Sequence, residues 1–366
     1  LNKTEIEAFH VKGKFKDKKE ADKVVNITKN KKALVETVTK KSISINPPFP
    51  FDLTSLQLEA YKYCNISPKQ TMGVTQNLYV RGYITYPRTS SQKLPPKLNI
   101  KKLFTSLSRQ EKYSKIIEKL SSKPNLRANE GPKSDPAHPA CIPTGDTPKN
   151  LKGKELQVYD LIVRRFLSSF GDNAEKENMN LKIDCNKEKF SFSCSKVLEK
   201  GWMEIYHFVK SDSIEIRGVK EGDEVKNPKI LLYSKETQPP KRFTAASIIK
   251  ELEERNLGTK GTRALIIDTL YQRHYIQEKS VQVTDLGEAV CDTLEEYVPE
   301  LVSENLTRHF EEELEQIREN KKKKEEVVDE AKTVLKKVLK VFKSSEEKIG
   351  KKLLKAVKET RAEQEN

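Results

Sequence analysis

The stretch RGYITYPRTSSQ, residues 81–92, decides how the rest of this chain is read. Tyr83 and Tyr86 lie three apart, Pro87 and Arg88 follow, and the hydroxyls of Thr89, Ser90 and Ser91 come next. A phenol titrates near pH ~10 and is a poor nucleophile at neutral pH unless a neighbour helps it. Arg88 is such a neighbour, and Pro87 stiffens the link between the two by fixing φ. If YITYPR is extended, Tyr86 and Arg88 point to the same side. That geometry suits attack on a phosphodiester, with an oxygen nucleophile and a cation on the developing charge. An aromatic in an ordinary apolar strand gives the same local pattern, so the surroundings must decide.

Outward from this stretch the texture is helical. LTSLQLEAYKYC (53–64) opens on an Asp or Thr cap, and SPKQTMGVTQNLYVRGYI (67–84) predicts a second helix, with Ser67 as cap and Pro68 in the first turn. KELQVYDLIVRRFLSSF (154–170) is amphipathic: Leu156, Tyr159, Ile162, Val163 and Phe166 share a face, and Arg164 and Arg165 project off it. Between these helices the chain reads as loops, among them SDPAHPACIPTG (134–145). His138 sits there in a polar setting, where it can carry a proton near a phosphate, with Asp135 and Lys133 beside it. One segment thus offers a nucleophile, two kinds of cation and a proton carrier, the set that covalent phosphotyrosine chemistry needs.

Strand texture flanks this segment. FHVKGKF (9–15) alternates with period two, and a lysine-rich turn leads through VVNITKN (24–30) to the β-rich ALVETVTKKSISI (33–45). Pro47, Pro48 and Pro50 close that part. On the far side LKIDC, NKEK and FSFSC (181–194) predict a hairpin, and GWMEIY (201–206), EGDEV (221–225) and ILLYS (230–234) continue the β texture. The reading is a discontinuous β-rich domain, residues 1–50 and 172–240, interrupted by a mainly helical insert, 51–171, that carries Tyr86. An insert on a two-strand connection can swing as a unit.

Residues 244–276 predict helix, turn, helix: Thr244 or Ser247 caps the first, Gly258 ends it, and Thr259 or Thr262 caps the second. YIQEKSVQVTDLGEAV (275–290) has the character of a β-wing and the next helix of a winged-helix unit, so 241–320 is read as a helical, winged-helix-like DNA-binding domain. In GTKGTR (258–263), backbone N–H groups, Lys260 and Arg263 at a helix N-terminus suit phosphate; a generic helical hairpin is the alternative. The tail, 321–366, carries two apolar stripes between lysines and predicts a charged helical hairpin packed on the body.

The composition agrees with a polyanionic partner. The chain has 366 residues, a formal charge of +15, and a mean hydropathy of −0.72. That length suits about two or three domains. No apolar run is long enough for a membrane span, and no basic-then-apolar leader opens the chain. The five cysteines form no CxxC pair, which argues against a zinc ribbon and for reduced thiols in the cytoplasm. No GxxxxGK[ST] loop for ATP occurs.

GYITYPRTSS resembles the active-site signature of type IA DNA topoisomerases, especially the archaeal enzymes, and SDPAHPACIPTG resembles their Asp-x-x-His-Pro-Ala-x-x-Pro-Thr motif. VYDLIVRRFL, IIKELEERNLGTKGTRALIIDTLYQRHYI, VTDLGEAV and PELVSENLTRHFEEELEQI follow in that family's order, so the resemblance runs in collinear blocks across residues 50–320. It implies an α+β multidomain fold, the type IA topoisomerase core, with a β-rich arch holding the tyrosine domain. It implies that Tyr86 attacks single-stranded DNA and becomes linked to a 5′ phosphate, that Arg88 assists cleavage, and that His138 handles a proton or contacts phosphate. Strand passage and religation follow without ATP, relaxing negatively supercoiled DNA. Gln76, Lys133, Asp135, Arg165, Thr259, Lys260, Thr262 and Arg263 are expected along the DNA path.

The family's Toprim domain supplies the acids that bind Mg2+, and no Toprim-like segment is found before Phe9. The expectation is a C-terminal portion of a topoisomerase that binds no metal itself and works with a Toprim-containing partner chain or a missing N-terminal part. No zinc and no membrane partner are expected, and the location is cytoplasmic, at the nucleoid. Cys141, where apolar or aromatic residues are usual, is not read as catalytic. The alternative is a non-catalytic single-stranded DNA clamp or regulatory subunit derived from a topoisomerase. A tyrosine recombinase is the weakest reading, because no His-x-x-Arg occurs.

Overall fold

The computed structural model describes residues 5–209, 216 and 218–364. In chain order its elements are β1 (Phe9–His10), α1 (Lys18–Thr28), β2 (Ala33–Ile45), α2 (Leu53–Cys64), α3 (Pro68–Val80), α4 (Ile100–Leu107), α5 (Glu111–Ser121) and α6 (Gly153–Ser168). There follow β3 (Ala174–Cys185), β4 (Glu188–Glu199), a 3-10 turn (Gly201–Glu204), β5 (Glu224–Val225), α7 (Ala245–Glu254), α8 (Arg263–Gln272), β6 (Ile276–Gln277) and β7 (Gln282–Val283). The chain closes with α9 (Asp285–Tyr297), a 3-10 turn (Pro299–Val302), α10 (Glu304–Arg318) and α11 (Lys324–Gln364). These elements form two compact units. One comprises Leu1–Phe49, Glu111–Asn129 and Arg164–Pro239; the other comprises Pro50–Gln110, Glu130–Val163 and Pro240–Asn366.

The first unit is built on an antiparallel sheet of order β1-β4-β3-β2-β5. Its spine is the long pairing of β2 with β3, from Ala33 opposite Cys185 to Ile45 opposite Ala174, with one bulge between Val35 and Thr37. The β3–β4 hairpin turns on Asn186 and Lys187, both at positive φ (52° and 71°), which matches the right-handed twist of its strands. Alternation sends Leu181, Met179 and Phe192 to one buried cluster, joined by Ile216 and by the partly buried Val38 and Cys194. The indole of Trp202 donates to the Ile45 carbonyl (3.0 Å) and so fixes the chain where it leaves β4. Gly201 makes that close approach possible: its φ is +48°, and a Cβ there would lie 2.3 Å from the Asn173 carbonyl oxygen. Gly201→Ala is therefore expected to cost about 2–4 kcal/mol, from a left-handed backbone plus overpacking, and a lowered melting temperature would show it.

The second unit packs α2 on α3 and α7, α3 on α8, and α11 on α9. Ile249, Ala264, Ile267 and Ile276 form one apolar cluster, with Met72 of α3 against it; Val298, Val338 and Ile349 form another, between the α9 end and α11. Three of the caps read from sequence are in place, while Thr262, at the start of α8, makes no side-chain capping bond. Asp52 accepts from Ser55 N, Ser67 from Gln70 N with Pro68 in the first turn, and Thr244 and Ser247 make a reciprocal capping box. The two-stranded β6–β7 wing follows α8 as expected.

Several sequence expectations are corrected. The strand over 9–15 shortens to Phe9–His10, because the chain turns at Gly13 (φ +71°). VVNITKN lies mostly in helix α1: Asp17 caps it, and buried Ala21 and Thr28 outweigh the β-branched texture. The supposed loops between α3 and α6 contain α4 and α5, which bury Leu103, Phe104 and Leu107, and Tyr113, Ile117 and Leu120. GWMEIY begins as a 3-10 turn, and ILLYS is exposed coil, since β-favouring residues form no strand without an edge to pair with. After α7 the first left-handed residue is Asn256 (φ 55°), and Gly258 (φ 62°) lies in the loop beyond. The tail is one continuous helix: Gly350 does not break it, and Val338 and Ile349 lie on the same buried side.

Candidate active site and nucleic-acid interface

All residues of the site described here, from the tyrosine loop to the loop before α8, belong to the second unit. The tyrosine loop (83–93) and the histidine loop (133–144) run beside each other, and backbone pairing fixes their register at both ends. Ile84 bridges Pro143, Thr85 N donates to the Ile142 carbonyl (2.9 Å), Ala140 N donates to the Lys93 carbonyl (2.8 Å), and Gln92 N donates to the Lys133 carbonyl (3.0 Å). Phe51 pairs with Cys141, and Leu53 N donates to the Thr89 carbonyl, so the start of α2 seals the other side. Hydroxyls, half-buried at Thr85 and buried at Thr89 and Ser91, complete the frame. Thr85 Oγ1 donates to the Ala140 carbonyl, Thr89 Oγ1 to the His138 carbonyl (3.0 Å), and Ser91 Oγ accepts from Lys93 N.

This frame puts Tyr86 against His138, with ring centroids 4.5 Å apart and planes tilted 49°. Tyr79, on the last turn of α3, packs edge-on to Tyr86 at 5.2 Å. Nothing in the sequence marks Tyr79, which reads as one more aromatic at the end of a helix. Segment 83–88 bends rather than runs extended, so the alternation that placed Tyr86 and Arg88 on one side does not apply. Arg88 is exposed and makes no hydrogen bond or ion pair among the described residues. Tyr83 is differently employed: its hydroxyl accepts from Lys149 N (3.1 Å) and the Arg81 guanidinium lies 5.0 Å from its ring. The Lys149 N–H, with Arg81 adding to it, holds the Tyr83 phenol below its usual pKa.

Asp135 is the hub. One oxygen accepts from Ala137 N (3.0 Å) and His138 N (3.3 Å), which shapes the turn under His138. The other accepts from Ser90 N and Ser90 Oγ (3.2 and 3.1 Å) and from the Lys260 ammonium. The carboxylate side chain is 3% exposed. Burial alone would raise its pKa; Lys260 and the Ser90 and Ala137 N–H groups outweigh this and hold the carboxyl far below the usual range. Asp135 thus joins the tyrosine loop, the histidine loop and the loop before α8.

Lys133 is also engaged. Its ammonium bridges Asp52 (3.2 Å), the buried cap of α2, and Glu253 of α7 (2.6 Å). Burial works against its charge, but the Glu253 and Asp52 carboxylates raise its pKa above the ordinary value. Arg263 closes its own loop, donating from Nε to the Leu257 carbonyl (2.9 Å) and from Nη2 to that of Gly258 (2.8 Å). Its partial burial lowers its pKa. Thr259 and Thr262 are exposed, their hydroxyls 3.0 Å apart, and Thr262 Oγ1 accepts from Thr259 N. Gln76 is half-buried on α3, one turn before Tyr79. Arg165 falls in the first unit, where its Nε donates to the Phe49 carbonyl (2.6 Å) and its guanidinium lies 5.5 Å from the Tyr206 ring. Of the expected set, then, Tyr86, His138, Asp135 and Lys260 are brought together, Arg88 follows Tyr86 in sequence, and Lys133 and Arg263 face protein groups nearby.

A family model described as DNA topoisomerase matches residues 1–329. The chain belongs to the type IA DNA topoisomerase family. DNA topoisomerase 1 of Methanocaldococcus jannaschii is 48% identical over 359 residues, covering 97% of this chain and 47% of that protein. The enzyme of the same name from Methanothermobacter thermautotrophicus is 41% identical over 350 residues, covering 96% and 48%. The chain therefore spans about half the length of these topoisomerases. Full-length topoisomerase I from Thermotoga maritima has the same fold, with a TM-score of 0.70 at 24% identity over 93% of this chain and 56% of that one. The α+β topoisomerase core expected from the sequence is the fold observed.

Magnesium, which this topoisomerase family implies, does not fit the residues present. Among the described residues no group of three or more His, Cys, Asp or Glu side chains could hold a metal ion. Asp135, Asp52 and Glu253, acids tied to the two loops, are each occupied by a lysine. No described helix is long and apolar enough to cross a membrane.

Proposed function

We propose that this chain carries the strand-cleaving tyrosine of a type IA topoisomerase. The Tyr86 oxygen bonds to phosphorus as the phenol gives up its proton. The bond from phosphorus to the 3′ oxygen breaks, the leaving oxygen takes up a proton, and the 5′ phosphate stays on Tyr86. Reversal by the 3′ hydroxyl restores the strand after another has passed, without ATP. The reading rests on Tyr86 lying against His138, a proton carrier, with the uncommitted Arg88 two residues on. Magnesium would come from outside this chain, on a Toprim-containing segment or partner. Residues 51–171 would swing on the arch formed by 1–50 and 172–240, parting the Lys133–Glu253 and Asp135–Lys260 pairs. The substrate is single-stranded or negatively supercoiled DNA in the cytoplasm.

Covalent capture tests this reading. The chain is mixed with 3′-end-labelled single-stranded DNA, with and without magnesium, and quenched in detergent. A labelled band shifted by the protein's 42.0 kDa is expected, if not from the chain alone then on adding a Toprim fragment of a related topoisomerase. No band under any of these conditions would overturn the cleavage reading in favour of a binding clamp.

A further inference from the structure

The match to the family model ends at residue 329, and α11 continues to Gln364. Over residues 331–358 it carries ten lysines against two glutamates, a balance of +8. The buried side of this helix is defined by Val327, Val338, Ile349 and Ala356. At ~100° per residue, Lys332, Lys336, Lys340, Lys343, Lys351 and Lys358 fall on the opposite side, and all six are exposed. From Lys332 to Lys358 the stripe runs about 39 Å, a little more than one ~34–36 Å turn of B-DNA.

The lysines of this helix divide by position. On the flanks, Lys337 and Lys352 are taken by Glu300 and Glu296. Within the stripe, Lys332 pairs with Asp329 (3.2 Å) and Lys351 with Glu347 (2.6 Å). Lys336, Lys340 and Lys343 make no ion pair among the described residues. Three uncommitted ammonium groups at i, i+4 and i+7 thus sit together at the centre of the stripe.

We propose that this face of α11 is a second DNA-binding surface, separate from the tyrosine site, and that it binds the backbone of double-stranded DNA. Charge complementarity selects a polyanion: a duplex carries a charge every ~1.7 Å of its axis. The chemistry of the stripe selects a duplex over a single strand, because it has no aromatic on which unpaired bases could stack. The helix's one aromatic, Phe342, packs into the α9 cluster. An apolar partner is disfavoured as well. The exposed Leu335, Leu339 and Leu354 each lie three or four residues along the helix from stripe lysines (Lys332; Lys336 and Lys343; Lys351 and Lys358), whose charge would have to be buried with them. The surface would hold duplex flanking the single strand that Tyr86 takes.

The test compares the full chain with Lys336→Gln/Lys340→Gln/Lys343→Gln, and with Lys337→Gln/Lys352→Gln as control. Glutamine keeps helix propensity at exposed positions, and circular dichroism checks the fold. Binding to a labelled blunt duplex of ~20 base pairs is followed by fluorescence anisotropy as salt is raised. The triple variant is expected to lower the slope of log K against log salt by about 2.7, since each lysine lost releases ~0.9 fewer counterions. The control is expected to lower it by less than ~1, and covalent capture of a single strand is expected to stay unchanged in both. An unchanged duplex slope in the triple variant would refute the surface, as would an equal loss in the control. A loss confined to single-stranded DNA would refute the assignment to duplex. These readouts do not depend on cleavage, so failure of the tyrosine chemistry leaves them decisive.

Discussion

Tyr86→Phe is expected to abolish covalent capture, by about 10⁴-fold or more, while leaving single-stranded DNA affinity within about twofold. Attack needs the phenolic oxygen, and the neighbouring loop hydroxyls are engaged elsewhere. Tyr83 uses its oxygen to accept from Lys149 N, and Thr85 and Thr89 donate theirs to the histidine-loop carbonyls. The substitution keeps what the frame requires of the ring. Phenylalanine can still pack edge-on to Tyr79 and against His138, so stability should change by no more than about 0.5 kcal/mol. Affinity should persist because it comes from charge on several elements rather than from one phenol. The measurement pairs detergent-quenched capture with anisotropy on the same oligonucleotide. Loss of both together would mean that Tyr86 is a binding contact, and an adduct surviving in the variant would mean that another residue is the nucleophile.

What the sequence made legible follows from how far apart the cooperating groups lie. Helices α2, α3, α6, α7 and α8 were readable because cap and apolar spacing sit within one or two turns: Asp52 with Ser55, Ser67 with Gln70, Thr244 with Ser247. The chemistry of Tyr86 and His138 was suggested by residue type, but their contact joins positions 52 apart through Thr85, Thr89 and backbone pairs that no local pattern shows. The same distance hid how the cations are employed. Lys133 looked like a phosphate ligand beside His138, yet Asp52 and Glu253 hold it from two other helices. Arg263 looked like an anchor at a helix N-terminus and instead ties the loop that precedes it. A basic residue in a motif reports charge, and only the fold tells whether that charge is spent.

Asp135→Ala is expected to have the second largest effect, and through position rather than contact with DNA. Removing the carboxylate strips acceptors from Ser90, Ala137, His138 and Lys260 at once. The loss should be about 2–4 kcal/mol, below the full cost of breaking a buried pair because Lys260 is 31% exposed and can turn to water. Capture should fall about 100-fold, the scale of a ~1 Å misplacement of reacting groups, as His138 and the Ser90 end of the tyrosine loop relax. Affinity for single-stranded DNA should hold or rise, since Lys260 is released for phosphate. Asp135→Asn should recover part of the capture through its remaining oxygen, which can still serve Ala137 and His138. The acid limb gives an independent readout. With its folded pKa depressed, Asp135 stabilises fully at neutral pH; that contribution falls as pH drops below about 5, past the unfolded value near 3.9, and vanishes towards the folded pKa. Asp135→Asn should flatten this part of the pH–stability curve. A residue that merely touched DNA would do the reverse of all this: weaker binding, normal capture at saturating DNA, and an unchanged acid limb.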